Sequence, residues 1–579
     1  MDIDLIEQLK RHSLLKGASD DVLAVIADCG EVQYLSPEEV LYEQGSEASD
    51  MALVLQGKLV VYLKTEEGDQ TVGSISSGQS VGEMSILSSA PRSASVKAVR
   101  QTKLIRLTRQ VTDSIFSKHP HLTLPFTREV IDRLRTSQQE RSYTPPKVIA
   151  LVGRRADVNA VSRRLRQSLM IFGQVEAINQ GPLNDLKVAF KNSSEFAVWL
   201  DDKELEVDYL LLPIDVATDH WQTVCQNHVD LTLLIKDEAD VSPCPKQARD
   251  LAFEGIVIHP QEQTIYSNTS RLFAEARPLT IHHVSLCNSF AFDRLARRLA
   301  GQATSLVLGG GGARGLAHIG VIKALTELKI PIDCIGGTSM GAFVAALYVL
   351  SNDWKMMREM AWDCWVAPGF LKYITLPLVS LLDCRRIENK MNQIFSGKFI
   401  EDAAIGFYCT SSNLTRAKVA VHTSGELSTW VIASVSLPGI APPQIHQGEL
   451  FVDGAVLNSL PIGPSQDLAP GAIIASNVSL DVDLQVDKGL SRMPTGWQIL
   501  RQKLSLNQRQ RNLPGIFDII DRASMLSSIK QIHDHEASVD ISIMPPVGHV
   551  DMFSMKSIDC LIQAGYQETV RVMKLDDSV

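Results

Sequence analysis

The sequence has 579 residues, several times the length of a usual domain, and its 45% hydrophobic and 21% charged residues are an ordinary globular composition. Three or four domains are therefore expected. The formal net charge of -10 excludes the strongly basic surface that binding to nucleic acid requires.

The cysteines and the hydrophobic runs indicate a compartment. Nine cysteines are scattered without Cys-x-x-Cys pairs or the spacing of a metal site, which is typical of reduced thiols in a cytosolic protein. The N-terminus lacks the apolar core of a signal peptide, and no apolar run reaches the roughly 18 residues that span a bilayer. The sequence therefore predicts a cytoplasmic protein without a metal site, whose membrane contact would be peripheral, at the inner face.

Residues 14–110 alternate short runs of β-forming residues with glycine-containing turns. Gly57, for example, separates two such runs. Regular short strands with glycine turns predict a small β-barrel. Helical spacing follows at 113–140, and the polar stretch 141–146 is typical of a linker. We expect a first domain over residues 1–140.

Residues 147–300 have a different texture. The apolar runs 147–153, 208–215 and 231–236 predict buried strands, and helical spacing appears between strands. The turn after the first strand lacks the G-x-x-x-x-G-K-[ST] pattern of a phosphate loop. The sequence predicts an α/β spacer domain without a recognised site.

A third β-α-β region begins near residue 301. Strand-forming runs at 304–308 and 332–337 alternate with apolar helical segments, as in a parallel sheet. We expect a catalytic domain over 301–470 and a C-terminal extension, 471–579, that packs on it.

The first turn of this region carries a glycine cluster with two interpretations. Gly310-x-Gly312-x-x-Gly315 follows a strand and opens a helix, and Asp333 lies 18 residues after Gly315, close to a dinucleotide-binding fingerprint. That pattern would imply a nicotinamide or flavin enzyme. Against it, Asp333 precedes the last residues of its strand, whereas a ribose-binding carboxylate belongs at the strand's end. In the second interpretation, backbone N–H groups of the cluster face an oxyanion.

The next strand runs directly into Gly337-Thr338-Ser339-Met340-Gly341, a G-x-S-x-G pattern. Between a strand and a helix this pattern makes a sharp elbow that exposes the serine at the edge of the sheet. The N-terminus of the helix favours negative charge that develops there. We therefore predict that Ser339 is a nucleophile.

A serine nucleophile requires a base. His446 lies downstream in a hairpin-like stretch, and His318 lies one turn into the helix after the glycine cluster, where an ordinary helix-face histidine is the simpler interpretation. Asp453 ends a strand before Gly454, and a carboxylate sheltered from water can accept the proton. A plain Asp-Gly turn is the simpler interpretation of Asp453, so residue chemistry alone does not assign the base.

Four motifs resemble the patatin-like phospholipase family in their order and spacing: the glycine cluster, the elbow, ASVSLPGIAPP at 433–443, and Asp453-Gly454-Ala455. That family uses a Ser–Asp dyad without histidine or cofactor. The resemblance therefore implies that Ser339 is the nucleophile and Asp453 the base. It also implies an oxyanion hole made by the loop residues Gly310, Gly311, Gly312, Arg314 and Gly315.

Residues 81–98 resemble the phosphate-binding cassette of cyclic-nucleotide-binding domains. By that resemblance Gly82 and Glu83 bind the ribose, Arg92 pairs with the cyclic phosphate, and Ser93 follows it in the site. The chemistry is coherent, because a carboxylate accepts a ribose hydroxyl and an arginine fork holds a phosphate. Cyclic AMP or cyclic GMP is the expected regulatory ligand, with cyclic AMP favoured.

The order of cyclic-nucleotide domain, α/β spacer and patatin-type domain resembles that of neuropathy target esterase-like proteins, as does FDRLARRLAG at 292–301. This implies a multidomain serine lipid acyl hydrolase that acts on phospholipids or lysophospholipids. Those larger relatives carry an N-terminal membrane helix and more than one nucleotide-type domain, whereas this sequence shows one such domain and no anchor.

Two further stretches and one alternative function stay open. The apolar stretch 354–383 is expected either to line an acyl-chain groove or contact lipid, or to be ordinary core. The basic stretch 501–511 would contact anionic lipid or form a solvated helix face. The alternative function is a cyclic-nucleotide sensor whose hydrolase-like domain is catalytically silent.

Overall fold

The computed structural model describes residues 3–120, 143–178, 193–215, 228–244, 253–368, 375–479 and 538–576, with short gaps at 16–17, 66–67, 89, 241, 274–275, 277 and 377, and the single positions 127, 495 and 522. The chain divides into two compact units. The first comprises Met1–Glu262 and Thr269–Gln302, and the second comprises Gln263–Asn268 and Ala303–Val579. Much of the helix expected at 113–140, and the basic stretch 501–511, lie outside the described residues.

The first unit begins with a β-barrel made of two four-stranded antiparallel sheets. Its strands are β1 (Glu31–Leu35), β2 (Val40–Tyr42), β3 (Asp50–Gln56), β4 (Lys58–Thr65), β5 (Gly68–Ser76), β6 (Ser80–Val81), β7 (Ser95–Ala98) and β8 (Thr102–Thr108). The strand orders are β1-β8-β3-β6 and β2-β7-β4-β5. Every strand contributes a buried side chain to one apolar cluster, which confirms the expected barrel. Its helices are α1 (Ile3–Arg11), α2 (Asp20–Cys29), α3 (Glu83–Ser88) and α4 (Arg109–Lys118).

A six-stranded parallel sheet follows, with the order β10-β11-β9-β12-β13-β14. Its strands are β9 (Val148–Gly153), β10 (Val175–Ala177), β11 (Tyr209–Asp215), β12 (Leu231–Asp237), β13 (Glu254–His259) and β14 (Ile281–Ser285). The three strands expected from apolar runs are thereby confirmed. Its helices are α5 (Arg155–Leu169), α6 (Ser193–Glu206), α7 (Thr269–Leu272) and α8 (Phe290–Leu299). Separate apolar clusters cover the two faces, as parallel sheets require.

The second unit is built on an eight-stranded sheet with the order β19-β20-β17-β16-β15-β21-β22, to which β18 adds by pairing with β17. The strands are β15 (Ala303–Leu308), β16 (Cys334–Thr338), β17 (Gly406–Asn413), β18 (Lys418–His422), β19 (Gln444–His446), β20 (Glu449–Asp453), β21 (Gly471–Ser476) and β22 (Ile541–Ile543). The strands from β17 across to β22 are parallel, whereas β20 runs antiparallel to β17.

In the described part of this unit, seven α-helices pack on the sheet or near it. They are α9 (Ala317–Glu327), α10 (Met340–Ser351), α11 (Trp354–Ala361), α12 (Arg385–Phe395), α13 (Leu427–Ser434), α14 (Gly463–Leu468) and α15 (Ile558–Asp576). Helix α10 is buried at every position from 340 to 349, because its side chains there are all small or apolar. Because this helix is held in the core, its first turn is fixed at the carboxyl end of β16.

Three observations bear on membrane, redox and metal chemistry. None of the described helices is long and apolar enough to cross a membrane. The eight cysteines in the described ranges form no disulfide. Within the same ranges, no group of three or more His, Cys, Asp or Glu side chains is arranged to hold a metal ion.

Candidate active site

Ser339 lies at a sharp elbow between β16 and α10. Its backbone has φ 56° and ψ -126°, a conformation that costs a non-glycine residue about 1–3 kcal/mol. The flanking glycines permit the elbow to press against β15: a Cβ at Gly337 or Gly341 would lie 2.3 or 2.2 Å from the Leu308 carbonyl oxygen. The predicted sharp elbow between strand and helix is therefore present at Ser339.

The structure brings Ser339 and Asp453 together. The Ser339 hydroxyl donates a hydrogen bond of 2.5 Å to Asp453 Oδ2, and both residues are buried. Asp453 is held at the end of β20, where it pairs in register with Ser411 of β17. Its second oxygen, Oδ1, accepts the backbone N–H of Ala455 at 2.8 Å. One carboxylate oxygen is thus fixed by the backbone, and the other is aimed at the serine.

Neither histidine candidate is placed to serve as the base. His318 Nε2 donates to the Gly309 carbonyl oxygen at 2.9 Å, and Nδ1 lies 2.9 Å from Ser476 Oγ. Burial lowers the pKa of His318 to about 4, so the ring is neutral and structural. His446 lies on β19 with its ring centroid 4.7 Å from that of Trp430. Within the described ranges, the side-chain partner of the Ser339 hydroxyl is Asp453.

Ser434 supports the elbow from behind and was not identified from the sequence. The backbone N–H of Ser339 donates to Ser434 Oγ at 2.9 Å, and the Ser434 hydroxyl donates to the Thr410 carbonyl oxygen at 2.7 Å. Ser434 is the last residue of α13, and Pro438 and Gly439 follow in the loop after it. A serine at the end of an apolar helix carries no pattern that would indicate this role.

The glycine loop approaches the serine as expected, with one difference. Gly311 and Gly312 line the cavity beside Ser339, and the Gly311 N–H has no hydrogen-bond partner in the described part of the chain. The Gly310 N–H was expected in the oxyanion hole, but it donates instead to the Ser459 carbonyl oxygen at 2.9 Å. Gly310 therefore positions the loop, because its donor is already used.

The other two loop residues brace this arrangement. Arg314 is buried, and its Nε donates to the Gly311 carbonyl oxygen at 3.2 Å. Gly315 backs onto the residue after the nucleophile, since a Cβ at Gly315 would lie 2.7 Å from Met340 Cβ. Both contacts fix the loop relative to the elbow.

The position of Asp333 argues against the dinucleotide interpretation. Asp333 precedes Cys334, the first residue of β16, so it lies at the amino end of the sheet and the glycine loop lies at the carboxyl end. Its Oδ2 accepts the Thr304 backbone N–H at 3.0 Å. A ribose-binding carboxylate belongs at the carboxyl ends of the strands.

A cavity that is open to solvent adjoins Ser339 and Asp453. Glu388 and Asp453 are the charged side chains among its lining residues, and most of the others are apolar. Of the stretch 354–383, Trp365 lines the cavity; residues 369–374 and 377 lie outside the described part. The remaining apolar wall comes from Met340, Ile387, Met391, Ile432, Val435, Leu437, Ile440, Ala441, Ala455, Met552, Phe553 and Met555.

In the barrel, the expected nucleotide residues lie side by side. Gly82 has φ 86°, and a Cβ there would lie 2.4 Å from Arg92 Nη1, so glycine permits the close approach of the arginine. Glu83 begins α3 and is buried. Ser93 is exposed.

Arg92 already has an anionic partner in the barrel. Its Nη2 lies 2.7 Å from Asp50 Oδ1, Nη1 donates to the Gly82 carbonyl oxygen at 3.2 Å, and the guanidinium stacks 3.6 Å from the centroid of the Tyr42 ring. Asp50 Oδ2 also accepts from Arg106 Nε at 2.6 Å. A phosphate would therefore have to share or replace the Asp50 carboxylate.

Comparison with family models matches the two sites to two known domains. Residues 306–464 match the model described as patatin-like phospholipase. This region is a patatin-like domain. Residues 32–119, which include the barrel strands from β2 to β8, match the model described as cyclic nucleotide-binding domain.

Curated relatives match almost the whole chain. Lysophospholipase NTE1 of Cryptococcus neoformans var. neoformans serotype D is 26% identical over an alignment of 625 positions. The alignment covers 94% of this chain and 38% of the relative. Lysophospholipase nte1 of Aspergillus oryzae is 26% identical over 628 residues, covering 92% of this chain and 40% of the relative. The chain therefore spans about two fifths of the length of these relatives.

Solved structures match about a quarter of the chain. A catabolite activator protein of Thermus thermophilus is 21% identical, covers 27% of this chain and 68% of its own, and has a TM-score of 0.21. A regulatory subunit of a cAMP-independent protein kinase A from Trypanosoma brucei is 25% identical. The match covers 24% of this chain and 47% of the subunit, with a TM-score of 0.20.

The patatin-like domain contains both dyad residues, but its cavity is completed from outside the matched range. Met552, Phe553 and Met555 line the cavity, about 90 residues after the match ends. The Ala313 N–H donates to the Met552 carbonyl oxygen at 2.7 Å, which ties the C-terminal wall to the glycine loop. No motif in the sequence indicated these three residues.

Proposed function

We propose that the patatin-like domain hydrolyses a carboxylic ester of a lysophospholipid or phospholipid, with Ser339 as nucleophile and Asp453 as base. The observation that carries this proposal is the 2.5 Å hydrogen bond between Ser339 Oγ and Asp453 Oδ2 at the wall of an apolar cavity. The curated relatives, which are named lysophospholipases, support the choice of substrate class.

The first half of the reaction forms an acyl-enzyme. Asp453 takes the hydroxyl proton as Ser339 Oγ attacks the ester carbonyl carbon. The carbonyl oxygen becomes an oxyanion, for which the N–H of Gly311, a residue that lines the cavity, is the proposed donor. Collapse of the tetrahedral intermediate expels the alcohol, which leaves with the proton held by Asp453.

The second half releases the fatty acid. Asp453, again ionised, takes a proton from water as the water oxygen attacks the acyl carbon. The second tetrahedral intermediate collapses, the proton returns to Ser339 Oγ, and the carboxylic acid departs. The fixed Oδ1 of Asp453 keeps Oδ2 aimed at the serine through both halves.

The lining of the cavity fits an acyl chain. Burying each methylene of such a chain contributes about 0.8 kcal/mol, and most of the side chains that line the cavity are apolar. Among the described residues of the stretch 354–383, Trp365 contributes to this wall. A long acyl ester is therefore preferred over a short one.

The test measures fatty-acid release from lysophosphatidylcholine and hydrolysis of p-nitrophenyl butyrate. Ser339→Ala and Asp453→Asn are expected to lose both activities, whereas the exposed controls Ser424→Ala and Asp363→Asn keep them. Release that survives Ser339→Ala in a folded protein would contradict the proposal. If Asp453→Asn keeps both activities, Asp453 is not the base.

We further propose that a cyclic nucleotide is the regulatory ligand of the barrel, with Arg92 on the phosphate and Glu83 on the ribose. The match to the cyclic nucleotide-binding family and the adjacency of Gly82, Glu83 and Arg92 support this. The residues present fit the ligand, although Asp50 competes with the phosphate for Arg92. Binding would thus exchange an internal ion pair for a ligand ion pair.

Titration calorimetry of the full chain with cyclic AMP and cyclic GMP tests this regulatory role, together with ester hydrolysis at saturating ligand. Arg92→Ala is expected to abolish binding. Identical hydrolysis rates with and without bound nucleotide would contradict regulation. Absence of binding to the wild-type protein would contradict the ligand assignment itself.

A further inference from the structure

Three aliphatic side chains stand in solvent within four residues of the second unit. Leu376, Leu378 and Val379 are 73%, 83% and 69% exposed. Single exposed aliphatic residues are ordinary, but several side by side form a patch that usually meets a partner. The sequence from 375 to 382, TLPLVSLL, contains no charged residue.

After Val379 the chain continues directly to residues that pack against the wall of the cavity. The N–H groups of Leu381 and Leu382 donate to the carbonyl oxygens of Gly439 and Ile440 at 2.9 and 3.0 Å. Leu382 is buried in a cluster with Leu437, Ile440 and Ala441. Leu437, Ile440 and Ala441 all line the cavity that holds the dyad.

The second of the two paired segments also emerges with an exposed aliphatic side chain. After Ala441 the chain passes through Pro442 and Pro443 to Ile445 on β19, which is 74% exposed. Two segments that are hydrogen-bonded to each other at the cavity wall therefore both run outward into apolar side chains. In both segments the chain thus runs from exposed aliphatic side chains to residues that line the cavity or pack against its lining.

We propose that Leu376, Leu378, Val379 and Ile445 form a docking patch for the surface of a lipid aggregate. A lipid is the occupant that the continuity favours, because an acyl chain passing from a bilayer or micelle into the cavity would stay against apolar side chains. Insertion of uncharged aliphatic side chains into lipid is driven by burial of apolar area, so it should be insensitive to salt. The choice of lipid rests on the proposed function, whereas the patch itself does not.

The direct test is co-sedimentation of the full chain with phosphatidylcholine vesicles. The triple variant Leu376→Ser, Leu378→Ser, Val379→Ser is expected to lower the partition coefficient about tenfold or more, from the apolar area removed. A matched triple variant of exposed apolar residues in the first unit, Ile171→Ser, Leu279→Ser and Phe290→Ser, should bind as the wild type does.

Catalysis separates this proposal from the proposed function. The patch variant should lose activity on vesicular or micellar lysophosphatidylcholine while retaining hydrolysis of monomeric p-nitrophenyl butyrate. Ser339→Ala should lose activity on both substrates equally and still bind vesicles as the wild type does. That result would show that vesicle binding does not depend on the catalytic serine. If wild type lacks ester hydrolysis but binds vesicles through these residues, the function fails and the patch stands.

Three results would overturn the patch. The first is equal vesicle partition of wild type and patch variant. The second is a fall in binding of the wild type at 1 M salt to the level of the patch variant, which would make the contact electrostatic. The third is a concentration-dependent dimer, seen by sedimentation velocity, that the patch variant alone disrupts; the occupant would then be a second copy of the chain.

Discussion

Ser434→Ala should weaken both the fold and the catalytic elbow. Ser434 is fully buried, and its hydroxyl accepts the Ser339 N–H at 2.9 Å. Alanine leaves that N–H buried without an acceptor, which costs about 1–3 kcal/mol of unfolding free energy. The backbone strain at Ser339 is of similar size, about 1–3 kcal/mol, so the lost bond is large enough to let the elbow relax.

A displaced nucleophile lowers kcat, and a loss of about 1.4–2.8 kcal/mol in transition-state stabilisation corresponds to about ten- to a hundredfold. The assay is kcat for p-nitrophenyl butyrate beside urea unfolding. Ser434→Thr keeps the hydroxyl and should recover much of the rate. Ser465→Ala, which removes a buried hydroxyl bonded to Ile462 away from the elbow, controls for stability alone. Wild-type kcat in a correctly folded Ser434→Ala would refute this account of the elbow.

Three further outcomes follow from the charges and ionisable groups. Burial lowers the pKa of His318 to about 4. Between about pH 6.5 and pH 4 the unfolded state therefore binds a proton that the folded state does not. The free energy of unfolding should fall by up to about 3 kcal/mol as the pH drops through that window. His318→Asn should flatten this dependence in urea titrations, and an unchanged slope would contradict it. Asp50→Asn leaves Arg92 without its carboxylate, so cyclic AMP should raise the melting temperature more than in the wild type; equal increments would argue against competition. Glu388→Gln removes a negative charge from the cavity lining and should raise the relative rate on lysophosphatidylglycerol over lysophosphatidylcholine by about two- to fivefold, whereas an unchanged ratio would place the headgroup away from Glu388.

The sequence predicted what local pattern encodes. The elbow at Ser339 needs glycine at positions 337 and 341, because a Cβ at either position would lie within 2.3 Å of the Leu308 carbonyl oxygen. This requirement produces the G-x-S-x-G pattern that is visible in the sequence. The buried parallel strands could also be predicted from a local pattern. Both of their faces are covered, so their residues form continuous apolar runs. Asp453, by contrast, has no local signal that separates a base from a turn, and it was reached through resemblance.

Long-range hydrogen bonds were not predicted because nothing in the sequence spacing records them. Gly310 was placed in the oxyanion hole by its position in the cluster, yet its N–H is consumed by the carbonyl oxygen of Ser459, some 150 residues away. The internal pairing of Arg92 with Asp50 was missed for the same reason, since 42 residues separate the partners. A motif therefore indicates which groups approach a site, and only the fold decides which donors remain available.

The catalytic site also depends on chain beyond its motifs. Strand β21 lies beside β15, the strand that presents the glycine loop, and six residue pairs join the two from Ala303 to Leu308. The Ala313 N–H then bonds to Met552, so the loop is fixed from one side by this sheet and from the other by the C-terminal segment. Because Met552 also lines the cavity, the segment that holds the loop is the segment that closes the site. We infer that residues after 470 act with the motif region as one catalytic structure.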